Sequence, residues 1–555
     1  MKRVLPVLDY STFYTGHKPP EVPLELLKGY DYEMVILTMV GLRNSLDRNQ
    51  YRHQKNGAVE SIIGGLPPQK AERLKAFLQS GHSFTFIQSA VVDKIVLDLF
   101  KGIKDNLITK DLKDGQYEQR IFDVLLSYNE YYYDNGILDR SFTGHELMWT
   151  LVMMQGVSRV SKVDFVRTGL IKHLLLLDFL QKSLGADFGK LEKSFRERTG
   201  LATIYFFIMS LRHIFDFVER SGALVPEFQR NDPSLSYVKP MELLINREVA
   251  GEANFDMGMM LSKPFFETSY GTIYLIDHRN FSFISERAFL YLLFKKTSYQ
   301  QLAGFKNMNG LLSHFGKKYY EEFLMGTLLN QMARPEVRVV ASDDVYLADF
   351  TLILNETDIF LFEVKSVAQH YRIFDEQSAE KLRKHVDENY VEGKKGIAQL
   401  DRCIGYVLQD GGRQLQILNT LNKLKIYPII VCTDQKAATY GINDYVGQKA
   451  DMVFAKFKAD FRKVMPLTMI QADFFVDNIL LLSKDKLMLK KLIKGYHYFL
   501  KRQKGRFAKD SSSQNLIKSM TSFDQYAIEK YGAFTLPQEQ IYYHLKDVFQ
   551  LNISD

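Results

Sequence analysis

The segment DFTLILNETDIFLFEVK, Asp349 to Lys365, constrains the fold more than any other part of this chain. Two apolar runs, DFTLIL and IFLFEVK, flank Asn355-Glu356-Thr357-Asp358, a cluster of turn-favouring residues, and the pattern predicts an antiparallel hairpin. Along the second run, Phe360, Phe362 and Val364 share one face, while Ile359 and Leu361 lead to Glu363 on the other. Side chains alternate with period two along a strand, so a run apolar on both faces reads as a central, fully covered strand.

Charge in such a strand has to be accounted for. An unpaired buried carboxylate costs on the order of several kcal/mol, so an acid there needs a cation, a hydrogen-bonded partner or an open cleft. Glu363 and Lys365 share a face whatever the register. Asp349 joins them only if the hairpin loop holds an odd number of residues, because a slip of one turns it to the opposite face. Two carboxylates brought together repel each other and suit a hard divalent ion such as Mg2+, for which Mn2+ can substitute. A lysine beside them can orient or help deprotonate a water and offset charge on a phosphate. The plainer reading is a structural Glu363–Lys365 ion pair at the end of a core strand.

A length of 555 residues allows three or four domains at roughly 150 residues each. Residues 1–230 are expected to be helical. Val92, Ile95, Val96 and Leu99 recur at helical spacing, and Gly64-Gly65 closes one helix before another opens near Pro67-Pro68. GLIKHLLLLDFLQKSL and TIYFFIMSLRHIFDFVER are apolar enough to pack centrally. Residues 231–310 form a small α+β region, with short alternating runs in PFFETSYGTIYLIDHRNFSFIS and a helix from Glu286 to Lys296. Residues 311–475 run helix, three strands, helix, strand: LLSHFGKKYYEEFLMGTLLNQM, then EVRVVAS, DFTLIL and IFLFEVK, a helix ending in KGIAQLDRCIGYVL, and IYPIIVCTD. Residues 476–555 are helical and basic, and from Lys484 to Lys509 ten Lys or Arg accompany one acid, Asp485. There Lys490, Lys494, Lys501 and Arg502, interleaved with Tyr496, Tyr498, Phe499 and Phe507, are candidates to grip a nucleic-acid backbone. The competing reading is an amphipathic helix with aromatics in the core and lysines in water.

Asp349, followed after thirteen residues by Glu363-Val364-Lys365, resembles the signature of the PD-(D/E)xK superfamily, the restriction-endonuclease-like nucleases. The likeness covers residues 311–470, under a third of the chain. It implies a multidomain, mostly α protein with an αβββαβ restriction-endonuclease-like core in its C-terminal half. It also implies Mg2+-dependent hydrolysis of phosphodiester bonds, with Asp349 and Glu363 as metal ligands and Lys365 serving the water. The family pattern adds an acid from the helix before the first strand, for which Glu321 is favoured over Glu322. It further adds a polar residue on the helix after the Glu-x-Lys strand, here Gln399 with Lys395 a turn earlier. Two positions depart from the pattern. Cys403 stands where relatives with Gln-x-x-x-Tyr carry tyrosine, and Ala348 stands where a proline precedes the family's aspartate. Resemblance to prokaryotic defence nucleases, whose cores are joined to large helical regions, implies DNA as substrate and a restriction or anti-phage role. The rival readings are a repair, recombination or transposition nuclease, and a non-catalytic nucleic-acid-binding or assembly protein that keeps the fold.

Composition narrows the remaining classes. A net charge of +7 is compatible with an anionic partner, and 46% hydrophobic with 25% charged residues fits a globular chain. Cys403 and Cys432, the only cysteines, argue against a disulfide framework or structural zinc and suit a reducing compartment. The sequence contains no P-loop, GxSxG elbow, HExxH or Rossmann glycine pattern, so any ATP-driven translocation would come from a partner. MKRVLPVLDYSTFY does not read as a signal peptide, and no apolar run approaches the roughly 20 residues of a membrane span. A cytoplasmic protein without a membrane partner is expected, with the N-terminal helical region free to bind another protein or a second copy. Arg48 and His53 in LDRNQYRHQK have the Arg-x4-His form seen in helical HEPN ribonucleases, but a solvated helix end or a phosphate-contact patch is the simpler reading.

Overall fold

The computed structural model describes residues 8–48, 57–79, 87, 89–102, 116–134, 149, 168–221, 223, 225–230, 238–246, 260, 262–276, 289–342, 344, 346–366, 378–434, 437, 441–510, 513–531 and 546. His53, the residues between it and Arg48, and the start of the helix expected at Glu286 lie outside them. The chain is mostly helical, with a six-stranded mixed sheet in its C-terminal half. It divides into two compact units, Met1–Arg159, His213–Ile284 and His370–Ala379 in one, and Val160–Arg212, Ser285–Gln369 and Glu380–Asp555 in the other. The composition change near residue 231 therefore falls inside a stretch of the first unit.

In the first unit, α1 (Tyr32–Arg48), α2 (Ser89–Gly102) and α3 (Tyr117–Asp134) supply much of the core. Val92, Ile95, Val96 and Leu99 of α2 are all buried, as their spacing predicts. Arg43 of α1 reaches Asp93 of α2 at 2.8 Å, a buried pair in which each charge needs the other. The glycine pair ends the helix Gly57–Gly65, and the next begins at Pro68. Strands β1 (Glu227–Gln229), β2 (Phe265–Glu267) and β3 (Thr272–Leu275) form a small antiparallel sheet in the order β1-β3-β2. Its β2–β3 turn is tied to α1 where Glu33 accepts from the backbone and hydroxyl of Ser269 at 2.8 and 3.0 Å.

In the second unit, α4 (Leu170–Leu184) is the central helix its sequence suggests, buried continuously from Leu170 to Leu177. Its Lys172 is matched by Asp473 at 2.6 Å. By contrast, the helix Ile204–Ser221, which belongs to this unit as far as Arg212 and to the first from His213, buries one stripe and leaves Tyr205, Phe206 and Phe217 exposed. A long helix, α5, runs through Met308–His314, a wider π-type segment Phe315–Met325, and Gly326–Asn330. Asn307 caps its start by accepting from the Gly310 amide at 2.9 Å.

The sheet of this unit follows: β4 (Val337–Ala341), β5 (Phe350–Leu354), β6 (Asp358–Lys365), β7 (Lys425–Cys432), β8 (Lys463–Val464) and β9 (Thr468–Gln471). The pairs β4–β5 and β5–β6 are antiparallel, whereas β6–β7, β7–β8 and β7–β9 are parallel. Every residue of β6 is buried, as a strand apolar on both faces requires. The connection from β6 to β7 carries α6 (Ala379–Val386) and α7 (Ile397–Asp410). The order helix, three strands, helix, strand is therefore present, and α8 (Ile442–Phe454), α9 (Ala472–Lys484), α10 (Met488–Lys509) and α11 (Phe523–Tyr531) follow. Strands β8 and β9 are not expected from the sequence pattern. Both lie along β7, interrupted around Pro466, which has no amide hydrogen to donate, and each run is too short to be seen alone. Among the described residues, no single helix is long and apolar enough to cross a membrane.

Two positions give tests of this fold. Gly396 precedes α7 at φ +54°, and a Cβ there would lie 2.4 Å from the Tyr390 carbonyl oxygen, whereas Gly393 at φ +74° faces open space. Gly393→Ala is expected to cost about 1 kcal/mol and Gly396→Ala at least about twice that, read by urea unfolding. Asp524 of α11 is wholly buried and accepts from the Gln471 amide at 3.2 Å, and burial pushes its carboxyl up to about 7. A carboxyl whose pKa is higher folded than unfolded favours the fold below its unfolded value, and that benefit is lost as pH rises through the folded one. Stability should therefore fall between about pH 4 and 7, and Asp524→Asn should flatten that slope in unfolding curves taken across the range.

Candidate functional site

The hairpin loop decides whether the sequence candidates meet. Leu354 pairs with Asp358, so the loop is Asn355, Glu356 and Thr357, and Asp358 belongs to the strand. Three is odd. Beyond the last ladder pair, Phe350 with Phe362, Asp349 consequently falls opposite Glu363. Asn355 and Glu356 both sit at positive φ, 50° and 55°, a conformation that asparagine tolerates and glutamate rarely adopts. Glu356 is held there by Arg338 of β4, with Nε to Oε1 at 3.0 Å and Nη2 to Oε2 at 3.1 Å, and its carbonyl accepts from Asn419 at 2.9 Å.

Asp349 extends the ladder with its side chain, as Oδ2 accepts from the Val364 amide at 2.7 Å. Glu363 Oε1 accepts from Lys365 Nζ at 2.5 Å, and both side chains are almost wholly buried. Burial, then the Glu363 carboxylate, pushes Asp349 up to about 6, against the pull of the Val364 amide, Lys365 and Lys317. Burial also raises Glu363, with Lys365 pulling it down and Glu321 pushing it up. Glu321 on α5 is raised by burial and by Asp349, and pairs with Lys317 at 2.5 Å. Glu322 pairs outward with Lys318 at 2.8 Å. The three acids Asp349, Glu363 and Glu321 thus share one electrostatic neighbourhood. Helix α5 comes close there because Gly316 has no side chain; a Cβ would meet the Ser366 hydroxyl, just past Lys365.

Among the described residues, no group of three or more His, Cys, Asp or Glu side chains is arranged to hold a metal ion. Lys365 and Lys317 each sit on one carboxylate oxygen, Glu363 Oε1 and Glu321 Oε1. The donor chemistry nevertheless suits a hard divalent ion, because carboxylates that raise one another's pKa are relieved by positive charge. Gln399, third residue of α7, turns its Oε1 back to the Gly396 amide at 3.1 Å and so caps its own helix. Lys395 is exposed just before that helix. One turn beyond Gln399, Arg402 draws Glu363 down, and buried Cys403 is pushed up to about 12 by burial and by Glu363 and Asp349. Lys317 and Arg402 were missed by the sequence reading. Their helical spacing from Glu321 and Gln399, four and three residues, is the signal that could have found them.

The basic C-terminal helix begins at the other end of β6. Lys490 of α10 pairs at 2.7 Å with Asp358, which also accepts from Tyr427 at 2.8 Å. Asp358 and Lys365 are seven strand steps apart, about 23 Å at 3.3 Å per step. Lys494 stands near Lys490, Lys425 and Lys463, which with burial lower its pKa, while Lys501 and Arg502 are exposed. The helix buries Leu489, Leu492, Ile493, Tyr496 and Leu500, an amphipathic stripe, and leaves Tyr498 in water. Lys490 is thus not brought to Asp349 and Glu363, whereas further along the same helix Lys504 pairs with Asp444 in the first turn of α8, past the carboxyl end of β7.

The buried pair makes a specific prediction. Lys365→Ala strands the Glu363 carboxylate and should cost roughly 3–5 kcal/mol in urea unfolding, whereas adding Glu363→Gln to it should restore most of that loss. Equal stability of the single and double variants would refute the buried-charge account. Compared with known proteins, the chain matches no family model, no curated protein and no solved structure.

Proposed function

We propose that this protein is a Mg2+-dependent nuclease that hydrolyses phosphodiester bonds, with DNA as its substrate. The observation that carries this reading is the hairpin register, which sets Asp349 opposite Glu363 with Lys365 on the same face. The three lie towards the carboxyl end of β6, the end of a parallel pair where ligands of open α/β sheets are commonly bound. Asp349 and Glu363 would hold the ion, and Glu321 would add a third carboxylate. When bound, Mg2+ supplies the positive charge that favours ionised water and offsets charge on the phosphate. Lys365 would leave Glu363 to orient the attacking water, and Lys317 and Arg402 add positive charge beside the phosphate. Gln399 serves the site indirectly, by fixing the start of the helix that carries Arg402. Lys490 and its neighbour Lys494 would meet nucleic acid well away from the cut, and Lys501 and Arg502, exposed further along the helix, would grip the backbone nearer the carboxyl end of the sheet. Resemblance to defence nucleases makes restriction or anti-phage activity the setting we favour.

A second reading has its own observation: the closed Glu363–Lys365 contact is what a purely structural ion pair in a non-catalytic, nucleic-acid-binding protein would look like. Cleavage assays separate the two. Circular and linear DNA and RNA are incubated with the wild type, Glu363→Gln and Asp349→Asn, in Mg2+, Mn2+ or EDTA. The nuclease reading expects metal-dependent cleavage reduced at least about a hundredfold in either variant. Cleavage that persists in EDTA and in both variants refutes the site.

A further inference from the structure

The loop that leads into Asp349 carries a tyrosine outward. The Tyr346 amide donates to Asp344 Oδ1 at 2.9 Å and the Leu347 amide to the Asp344 carbonyl at 3.0 Å, a tight turn three residues before Asp349. The Tyr346 ring stacks on Tyr406, with centroids 5.4 Å apart and planes at 22°, yet the residue is still 53% exposed. Tyr406 belongs to α7, one turn past Arg402 and Cys403, which both feel the Glu363 carboxylate. An aromatic stack with a ring left in water is therefore held three residues from Asp349 on the hairpin side and one turn from Arg402 on the helix side.

Nucleotide bases stack on exposed aromatic rings with little regard to sequence, but only when not already stacked within a duplex. The charges sort the two ends of a nucleotide. Asp344 and Asp410 face Tyr406 and would repel a phosphate there. Lys317, Lys365 and Arg402 act on the carboxylates and would attract one. We propose that Tyr346 and Tyr406 form a base-stacking subsite, so that the strand cut at Asp349, Glu363 and Lys365 is unpaired beside the scissile phosphate. This deepens the nuclease reading and rests on it.

The test uses the full chain as wild type, Tyr346→Ala, Tyr346→Phe and Glu363→Gln. Short fluorescein-labelled DNA and RNA strands and the matching blunt DNA duplex are titrated in EDTA by anisotropy, and cleavage is followed separately in Mg2+. Tyr346→Ala should weaken binding of the better-bound single strand at least about fivefold, Tyr346→Phe should retain it, and duplex binding should move less than about twofold. Unchanged strand binding in Tyr346→Ala, or an equal loss on strand and duplex, overturns the subsite. If wild-type cleavage is at the same time abolished by Glu363→Gln, the nuclease reading survives that result. A wild type that neither binds nor cleaves any of the three overturns the nuclease reading and the subsite with it.

Discussion

A strand buried on both faces can carry charge only where something answers it, and β6 carries charge at both ends. At its start, Asp358 is answered by Lys490 of α10 and the hydroxyl of Tyr427. Near its finish, Glu363 is answered by Lys365, with Asp349 and Glu321 adding negative charge that the fold does not cancel as well. The two ends differ in kind. The first is a closed arrangement, three polar groups satisfying one another, with Asp358 drawn below the ordinary carboxylate range by Lys490 and Tyr427 despite its burial. The second keeps its acids above that range. Excess like charge in a buried place is a standing cost, and proteins keep such costs at positions that bind or react.

Much of this was legible in the sequence, and the reasons for the gaps are physical. The period-two apolar pattern and the turn cluster gave the hairpin, and the strand order around it followed from similar runs. The register was not legible, because it turns on one residue. Asp358 reads as turn on propensity, yet it pairs with Leu354, since Lys490 and Tyr427 supply partners from far along the chain. Gln399 is placed by its position in the pattern, and nothing local in the sequence foretells that its Oε1 turns back to cap its own helix. Lys317 and Arg402 carry no local mark in the sequence, and only the packing of α5 and α7 around the hairpin lets them act on the acids.

The pairing of Arg338 with Glu356 bears on how this chain can change over time. Surface hairpin loops ordinarily gain and lose single residues freely. Here one residue inserted between Leu354 and Asp358 would reverse the faces of everything beyond it on one strand, parting Asp349 from Glu363 while leaving both strands apolar and foldable. Two residues would restore the meeting. The parity of this loop, rather than its sequence or its length, is therefore what descent with a working site would preserve, and an odd-to-even change would mark a lineage in which the acids no longer act together.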